Sequence, residues 1–403
     1  MPSMPGEKTV PNLTVTRSAE IPDALRIARA KASPRLGPRL LFFSGGSALN
    51  EAARALKQYT HNSAHLITPF DSGGSSQVLR EAFDMPAVGD LRSRLMALAD
   101  ETELGHPEIV ALFSHRLPAQ DARAAQAEFA EIEAGTHRLM RAVSQPMRRL
   151  ILQQLASFSE HLPADFDFRR AAIGNLILAG GYFSSARELE PALFLMSKMV
   201  AVLGTVRAVA DVNLQIGAEL ASGDRVIGQR NLTGKEAPPL TEPIRRLFLS
   251  DGAREIPARS VRLPKRNRRL IERADLIVYP PGSLYSSVIA NLLPERVGRS
   301  VAQRSVPKVY VPSLGTDPEC LGMTLPDQVG ALLAALRADL GADCPTERLI
   351  SLVLCDSGHV GAATAREITA RHGVLCITAD LAQAENPERY DPVRLCDALV
   401  SLA

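Results

Sequence analysis

The 403-residue sequence contains no tryptophan, and aromatic side chains make up only 4% of it. Aliphatic residues must therefore supply nearly all the packing, and a stacked-aromatic platform for single-stranded nucleic acid is disfavoured. Neither acidic nor basic residues predominate, with 46 lysines and arginines against 44 aspartates and glutamates. The net charge of +2 gives no global electrostatic case for DNA, RNA or an anionic membrane. The five cysteines, Cys320, Cys344, Cys355, Cys376 and Cys396, form no C-x-x-C pair, so they read as reduced thiols or small buried hydrophobes. Long hydrophobic runs are absent too. The most apolar helical stretch, Leu193 to Val206, is broken by Lys198 and too short to span a bilayer. Residues 1–38 are polar and proline-bearing, without a signal-peptide core, and read as an N-terminal extension. These absences point to a cytoplasmic protein with neither membrane nor nucleic acid as partner.

What is present is an ordinary globular composition, 46% hydrophobic and 22% charged. Arg39–Ser44 is an apolar run ending in Gly45-Gly46, with helical spacing afterwards through Leu49, Ala52, Ala53 and Leu56. Ala64–Pro69 repeats the plan, ending in Asp71-Ser72-Gly73-Gly74-Ser75-Ser76. Two consecutive strand–glycine-loop–helix units predict a parallel sheet. Residues 91–215 carry mostly helical intervals with a break at Pro163–Asp167, and 216–263 turn β-like, with a hairpin over Ile216–Arg230. Strands resume at Leu276–Tyr279, Val309–Pro312, Leu352–Cys355 and Val374–Ile377, with a helix over Ala362–Ala370 between the last two. The expected fold is α/β: a Rossmann-like parallel sheet with a helical layer and a small inserted β subdomain, all within residues 39–403.

The loops carry the chemical signal. Ser44-Gly45-Gly46-Ser47 lies between strand and helix, where glycines admit close backbone approach and a helix N-terminus offers N–H groups to an anion. A plain turn with a serine cap fits the same residues. In Asp71–Ser76 a carboxylate stands beside two glycines and hydroxyls, which suits phosphate cradling with a metal or ribose contact nearby; Ser75 or Ser76 as a simple helix cap is the alternative. Gly89-Asp90-Leu91-Arg92 reads as a turn bearing an acid and a cation. Gly174-Asn175-Leu176 places an amide in an apolar helical context, and Pro280-Pro281-Gly282-Ser283 follows a strand. In an open parallel sheet such loops converge at the carboxyl ends of the strands. The basic cluster Lys265, Arg266, Arg268 and Arg269 reads as a solvated helix face or an anion contact. His65, His161 and His359 belong to no ordered nucleophile triad and read as structural.

Taken in order, the five loop motifs resemble the family that contains 2-phospho-lactate transferase and the gluconeogenesis-factor, nucleotide-sugar-binding proteins. Gly282-Ser283-Leu284-Tyr285-Ser286-Ser287-Val288-Ile289 with Asn291-Leu292-Leu293 is the most similar segment. The resemblance implies a Rossmann-like core and a nucleotide, nucleotide-sugar or nucleotide-linked ligand. It places Gly45, Gly46 and Ser47, with Gly73, Gly74 and Ser75, along the phosphate path, Asn175 as a ligand contact, and Gly282 and Ser283 on the nucleotide side. It makes Asp71 and Asp90 the catalytic or Mg²⁺-facing acids. One departure stands out: the second acid of the family's Asp-Asp pair is Ser72 here, which removes an anionic oxygen from any Mg²⁺ site. Three functions follow as expectations. They are a nucleotide- or nucleotide-sugar-binding protein with a regulatory or uncharacterised role, a Mg²⁺-dependent transferase using a nucleotide-diphospho-linked donor, and an interaction module with a vestigial pocket. Proteins of this build often pair, so a homo-oligomer, as a dimer, is expected.

Overall fold

A computed structural model describes residues 18–403 except 103, 235 and 236. Eleven strands lie among the described residues. Seven of them, β1 (Leu40–Ser44), β2 (Ala64–Ile67), β3 (Thr205–Ala208), β8 (Leu276–Tyr279), β9 (Lys308–Tyr310), β10 (Leu352–Asp356) and β11 (Leu375–Ala379), form one parallel sheet. The other four, β4 (Gln215–Leu220), β5 (Arg225–Ile227), β6 (Ile244–Ser250) and β7 (Glu255–Ile256), form an antiparallel sheet in the order β5-β4-β6-β7. The fold is α/β with a Rossmann-like core and a smaller antiparallel sheet.

The parallel sheet runs β11-β10-β9-β8-β1-β2-β3, so strand order reverses between β1 and β8. Strand β1 reads Leu-Leu-Phe-Phe-Ser because both of its faces are covered, and all five of its residues are buried. Leu41 and Phe43 pack with Ile277 and with Ile216 and Leu249 of the antiparallel sheet. Leu40 and Phe42 face the other way, into a core shared with Leu56, Leu395 and Leu399.

Helices α1 (Ala24–Ala32), α2 (Asn50–Leu56) and α3 (Gly74–Phe83) precede the helical layer. That layer comprises α4 (Gly89–Leu98), α5 (Pro107–Ser114), α6 (Ala122–Glu133), α7 (Arg138–Ala142), α8 (Met147–Ser159), α9 (Ile173–Ser184) and α10 (Leu189–Met199). Then come α11 (Lys265–Arg273), α12 (Val297–Gln303), α13 (Leu325–Arg337), α14 (Ala362–His372) and α15 (Pro392–Leu402). Among the described residues no helix is long and apolar enough to cross a membrane.

Three details differ from the reading of the sequence. The stretch through Val206 is not one helix: α10 stops at Met199 and β3 follows as the edge strand of the parallel sheet. Four residues with a polar Arg207 give too little β pattern to stand out against the helices before them. Packing is not aliphatic everywhere. Six of the twelve phenylalanines, Phe83, Phe129, Phe158, Phe166, Phe168 and Phe183, meet in the helical layer with ring centroids 4.5–5.9 Å apart. Of the expected extension, residues 24–32 are α1, docked on α15 where Ser401 Oγ accepts the Asp23 N–H at 2.8 Å; residues 1–17 lie outside the described ones. In line with the solvated helix face read from the sequence, the basic run 265–269 opens α11, where Arg266 pairs with Glu190 and Arg268 with Glu272.

Candidate functional site

The reversal of strand order leaves a crevice beyond the carboxyl ends of β1 and β8, where α/β sheets bind ligands. It holds a cavity of about 330 Å³. Gly46, Ser47, Asp71, Gly73, Gly74, Ser75, Asp90, Asn175 and Ser283 all line it, so residues from separate sequence motifs share one wall. Two of the expected residues sit differently. Gly45 is not on the cavity wall but packs against residues that are, so that a Cβ would stand 3.0 Å from the Thr68 side chain. Gly282 borders the neighbouring cavities, and its N–H and C=O are both bonded to Ser313 Oγ at 3.0 Å.

Helix geometry brings the loops together. Gly89 and Asp90 are not in a turn but begin α4, and the Asp90 carboxylate accepts the Gly46 N–H at 2.5 Å. Gly46 has a φ of +45°, the left-handed conformation that presents its N–H this way and that favours glycine. Gly89 is required by close approach: an added Cβ would meet Ser76 Oγ at 2.3 Å and Asp71 Oδ2 at 3.2 Å. Ser76 Oγ in turn accepts the Gly89 N–H at 3.1 Å. The second glycine loop and the start of α4 are therefore pressed together with Asp71 and Asp90 on either side.

Beneath this surface lie two buried arginines. Arg94, fully buried, donates to Asn50 Oδ1 at 3.0 Å and Ser44 Oγ at 3.1 Å, and sits 3.0 Å from His65 Nδ1. Burial pushes its guanidinium down to about 10, with Asp90 acting in the opposite sense. His65 is held well below the usual imidazole range by burial and by the Arg94 charge, so it is a neutral acceptor, consistent with a structural role. Arg92 lines the cavity itself, and burial followed by the charge of Arg116 lowers it to about 10. Its Nε donates to Asn175 Oδ1 at 2.8 Å, and Asn175 Nδ2 donates to Ser75 Oγ at 2.8 Å. The asparagine on α9 thus ties the second glycine loop to α4. Arg116 and Arg230 complete the cationic rim.

Ser72 faces elsewhere. Its hydroxyl accepts the Arg230 N–H at 3.0 Å, and it is not among the residues lining the cavity. The serine fastens the loop after β5 to the second glycine loop, so the anionic oxygen missing at this position is missing from a loop contact, not from the cavity wall.

The loop after β8 holds a feature that sequence reasoning missed. The backbone N–H of Leu284 donates to Asp317 Oδ2 at 2.7 Å, and those of Tyr285 and Ser286 donate to Glu319 Oε2 at 3.0 and 2.8 Å. The Ser286 hydroxyl also donates to Glu319. Two carboxylates therefore occupy the N–H groups that a glycine-serine loop would offer an anion, while Ser283, Ser286 and Ser287 remain on the cavity. Glu319 is 1% exposed, and burial, then the charge of Asp317, raises its carboxyl to about 7. No spacing within Asp317-Pro318-Glu319 announces this role, because it depends on β9 lying beside β8. Arg94, Arg116 and Arg230 were missed for the same reason: each reaches the site from a part of the chain remote from the glycine loops it meets.

The family profile described as 2-phospho-L-lactate transferase CofD matches residues 40–390. The chain belongs to the CofD family. Its relatives include a putative gluconeogenesis factor from Nostoc sp., 30% identical over 300 residues, which are 74% of this chain and 52% of the Nostoc protein. The gluconeogenesis factor of Bacillus subtilis is 29% identical over 302 residues, 73% of this chain and 74% of that one. This CofD-family chain thus spans about half the length of one relative and about three quarters of the other. A crystal structure of a UPF0052-family member from Bacillus halodurans shares the fold, with a TM-score of 0.65, 22% identity, and coverage of 90% of this chain and 99% of that one.

Proposed function

We propose that the cleft binds the diphosphate of a nucleotide or nucleotide-sugar, and that the protein acts through this binding in a regulatory role. The observation that carries the reading is the meeting of Arg92, Arg116 and Arg230 with the Gly46–Ser47 and Gly73–Ser76 loops on one cavity at the strand-order reversal. Guanidinium groups match phosphate oxygens in planar, forked geometry, and a buried cation such as Arg92 interacts more strongly than an exposed one. The name carried by the Bacillus relative suggests that the regulated process is carbon metabolism.

A second reading, transfer from a nucleotide-diphospho-linked donor, is favoured by Asp71 and Asp90 on the same wall. Oxygen-only donors suit a hard dication, and the missing Cβ of Gly89 lets Ser76 Oγ and Asp71 Oδ2 come close to the start of α4, beside Asp90. Asp71 and Asp90 would hold Mg²⁺ there, and the ion would neutralise charge on the donor phosphates. In this reading an acceptor hydroxyl oxygen bonds to the phosphorus bearing the lactyl or enolpyruvyl group. The bond to the nucleoside monophosphate breaks, a carboxylate takes the hydroxyl proton, and Arg92 stabilises the phosphoryl oxygens.

A thermal-shift panel of GDP, GMP, UDP and UDP-N-acetylglucosamine, each with and without Mg²⁺, separates the two. A ligand at about 100 times its Kd adds about 2.7 kcal/mol to stability. A UDP-sugar response without turnover supports the regulatory reading, and a Mg²⁺-dependent GDP response supports transfer. Silence from a folded sample refutes both and leaves the vestigial interaction module.

A further inference from the structure

Outside the cleft, three side chains from different elements converge on the helical layer. His115 follows α5, Glu128 lies on α6, and His137 precedes α7. Both imidazole Nε2 atoms address the same carboxylate oxygen: His115 stands 2.6 Å and His137 3.5 Å from Glu128 Oε1. One ligand atom from each residue lies within 4.8 Å of the others, and among the described residues this is the only such grouping of three or more histidine, cysteine, aspartate or glutamate side chains. All three are partly exposed, with side-chain accessibilities of 24%, 24% and 11% in chain order, so an ion and a water have access.

We infer that His115, Glu128 and His137 form a binding site for a divalent transition-metal ion of the Zn²⁺ class. Two imidazoles and one carboxylate are a three-ligand zinc set that leaves a fourth position to water. Ligand atoms around a tetrahedral zinc stand about 3.4 Å apart, so movements on the order of an ångström convert the present spacings. Imidazole nitrogen favours zinc, nickel or copper, whereas the oxygen-only pair Asp71 and Asp90 favours magnesium, so the two places select different ions. Binding has a definite structural cost. His137 Nδ1 accepts the Leu139 N–H at 3.3 Å, and ligation through Nε2 moves the imidazole proton to Nδ1 and releases that N–H to solvent.

The site's position gives it a consequence. The His115 carbonyl accepts the Ile173 N–H at 2.9 Å, and Leu117 N–H donates to the Ala171 carbonyl at 2.9 Å, so this segment is laid against the start of α9. Between His115 and Leu117 is Arg116, on the rim of the nucleotide cleft, and two residues beyond Ile173 is Asn175. An ion joining α5, α6 and α7 would fix the segment that carries Arg116 and, through these hydrogen bonds, the start of α9 that carries Asn175.

The test uses the full chain stripped with EDTA, incubated with Zn²⁺, separated by gel filtration and assayed for metal. One zinc per chain is expected, with affinity at least about 100-fold weaker in His115→Gln and His137→Gln and unchanged in Asp71→Asn. Failure to retain stoichiometric zinc, or retention unaffected by both histidine substitutions, overturns the inference. Co²⁺ loading of the unmutated chain gives a readout independent of variant folding. Intense visible absorption of a tetrahedral nitrogen–oxygen site supports the assignment, and the spectrum of hydrated cobalt refutes it.

Discussion

Asn175 offers a way to separate structure from electrostatics in the cleft. Its amide joins Arg92 on α4 to Ser75 in the second glycine loop through two 2.8 Å hydrogen bonds, at 1% exposure. In Asn175→Ala both are lost, and among the described residues the buried Arg92 guanidinium keeps a hydrogen bond only to the Phe113 carbonyl, at 3.3 Å. A hydrogen bond to a charged group is worth roughly 1.5–3 kcal/mol and a neutral one about 1, so the loss should be on the order of 2–4 kcal/mol. For a chain of this length that lowers Tm by roughly 2–6 °C. Asn175→Asp behaves differently. The carboxylate still accepts from Arg92, and the Ser75 hydroxyl can turn to donate, so stability should remain near that of the unmutated protein. The new negative charge, however, faces the cleft proposed to hold the phosphates. At about 5 Å and an effective dielectric constant near 20, repulsion is on the order of 3 kcal/mol before screening, which predicts anion binding weaker by roughly 10- to 100-fold. Urea unfolding and nucleotide titration by calorimetry measure the two effects separately. Unchanged stability in Asn175→Ala would refute the clamp, and unchanged nucleotide affinity in Asn175→Asp would refute the phosphate side of the cleft.

Gly89→Ala should force Ser76 out of its place and crowd Asp71, costing about 1–3 kcal/mol of stability and most of the ligand-induced thermal shift; a normal shift would show that ligand binding does not depend on this close packing. Asp90→Asn removes the charge that supports Arg94 and accepts the Gly46 N–H, so a Mg²⁺-enhanced ligand response should disappear and stability fall by roughly 1–3 kcal/mol. A Mg²⁺ response that survives would place the ion elsewhere. Glu319 gives a pH signature. Native Glu319 keeps its proton to about pH 7, while the unfolded chain releases it near 4.5, so stability falls as pH rises through that window. Glu319→Gln puts a permanently neutral amide in place of the protonated acid, so the variant should gain on the unmutated protein between roughly pH 5 and pH 8, by up to about 3 kcal/mol. Parallel urea-stability curves across that range would contradict the assignment.

The sequence by itself determined the local devices. Apolar runs ending in glycine pairs specify a strand, a tight turn and a helix, and this logic requires only neighbours in the chain. Arg39–Ser44 and Ala64–Pro69 were legible for that reason, as were the loops carrying Asp71 and Ser283 and the helical segment carrying Asn175. β8, β9 and β10 were legible too, because a strand buried on both faces reads as a continuous apolar run. The brief edge strand β3 was not, since four residues including Arg207 leave no such run. Tertiary structure alone decided what the motifs contact. It turned Ser72 toward the Arg230 N–H, placed Gly45 and Gly282 off the cavity wall, and set Asp317 and Glu319 on N–H groups 33 and 34 residues earlier in the chain. It also brought Arg116 and Arg230 to the rim from the helical layer and the antiparallel sheet. A charge or hydroxyl carries no mark of its partner in its own sequence neighbourhood; strand order and layer packing choose that partner.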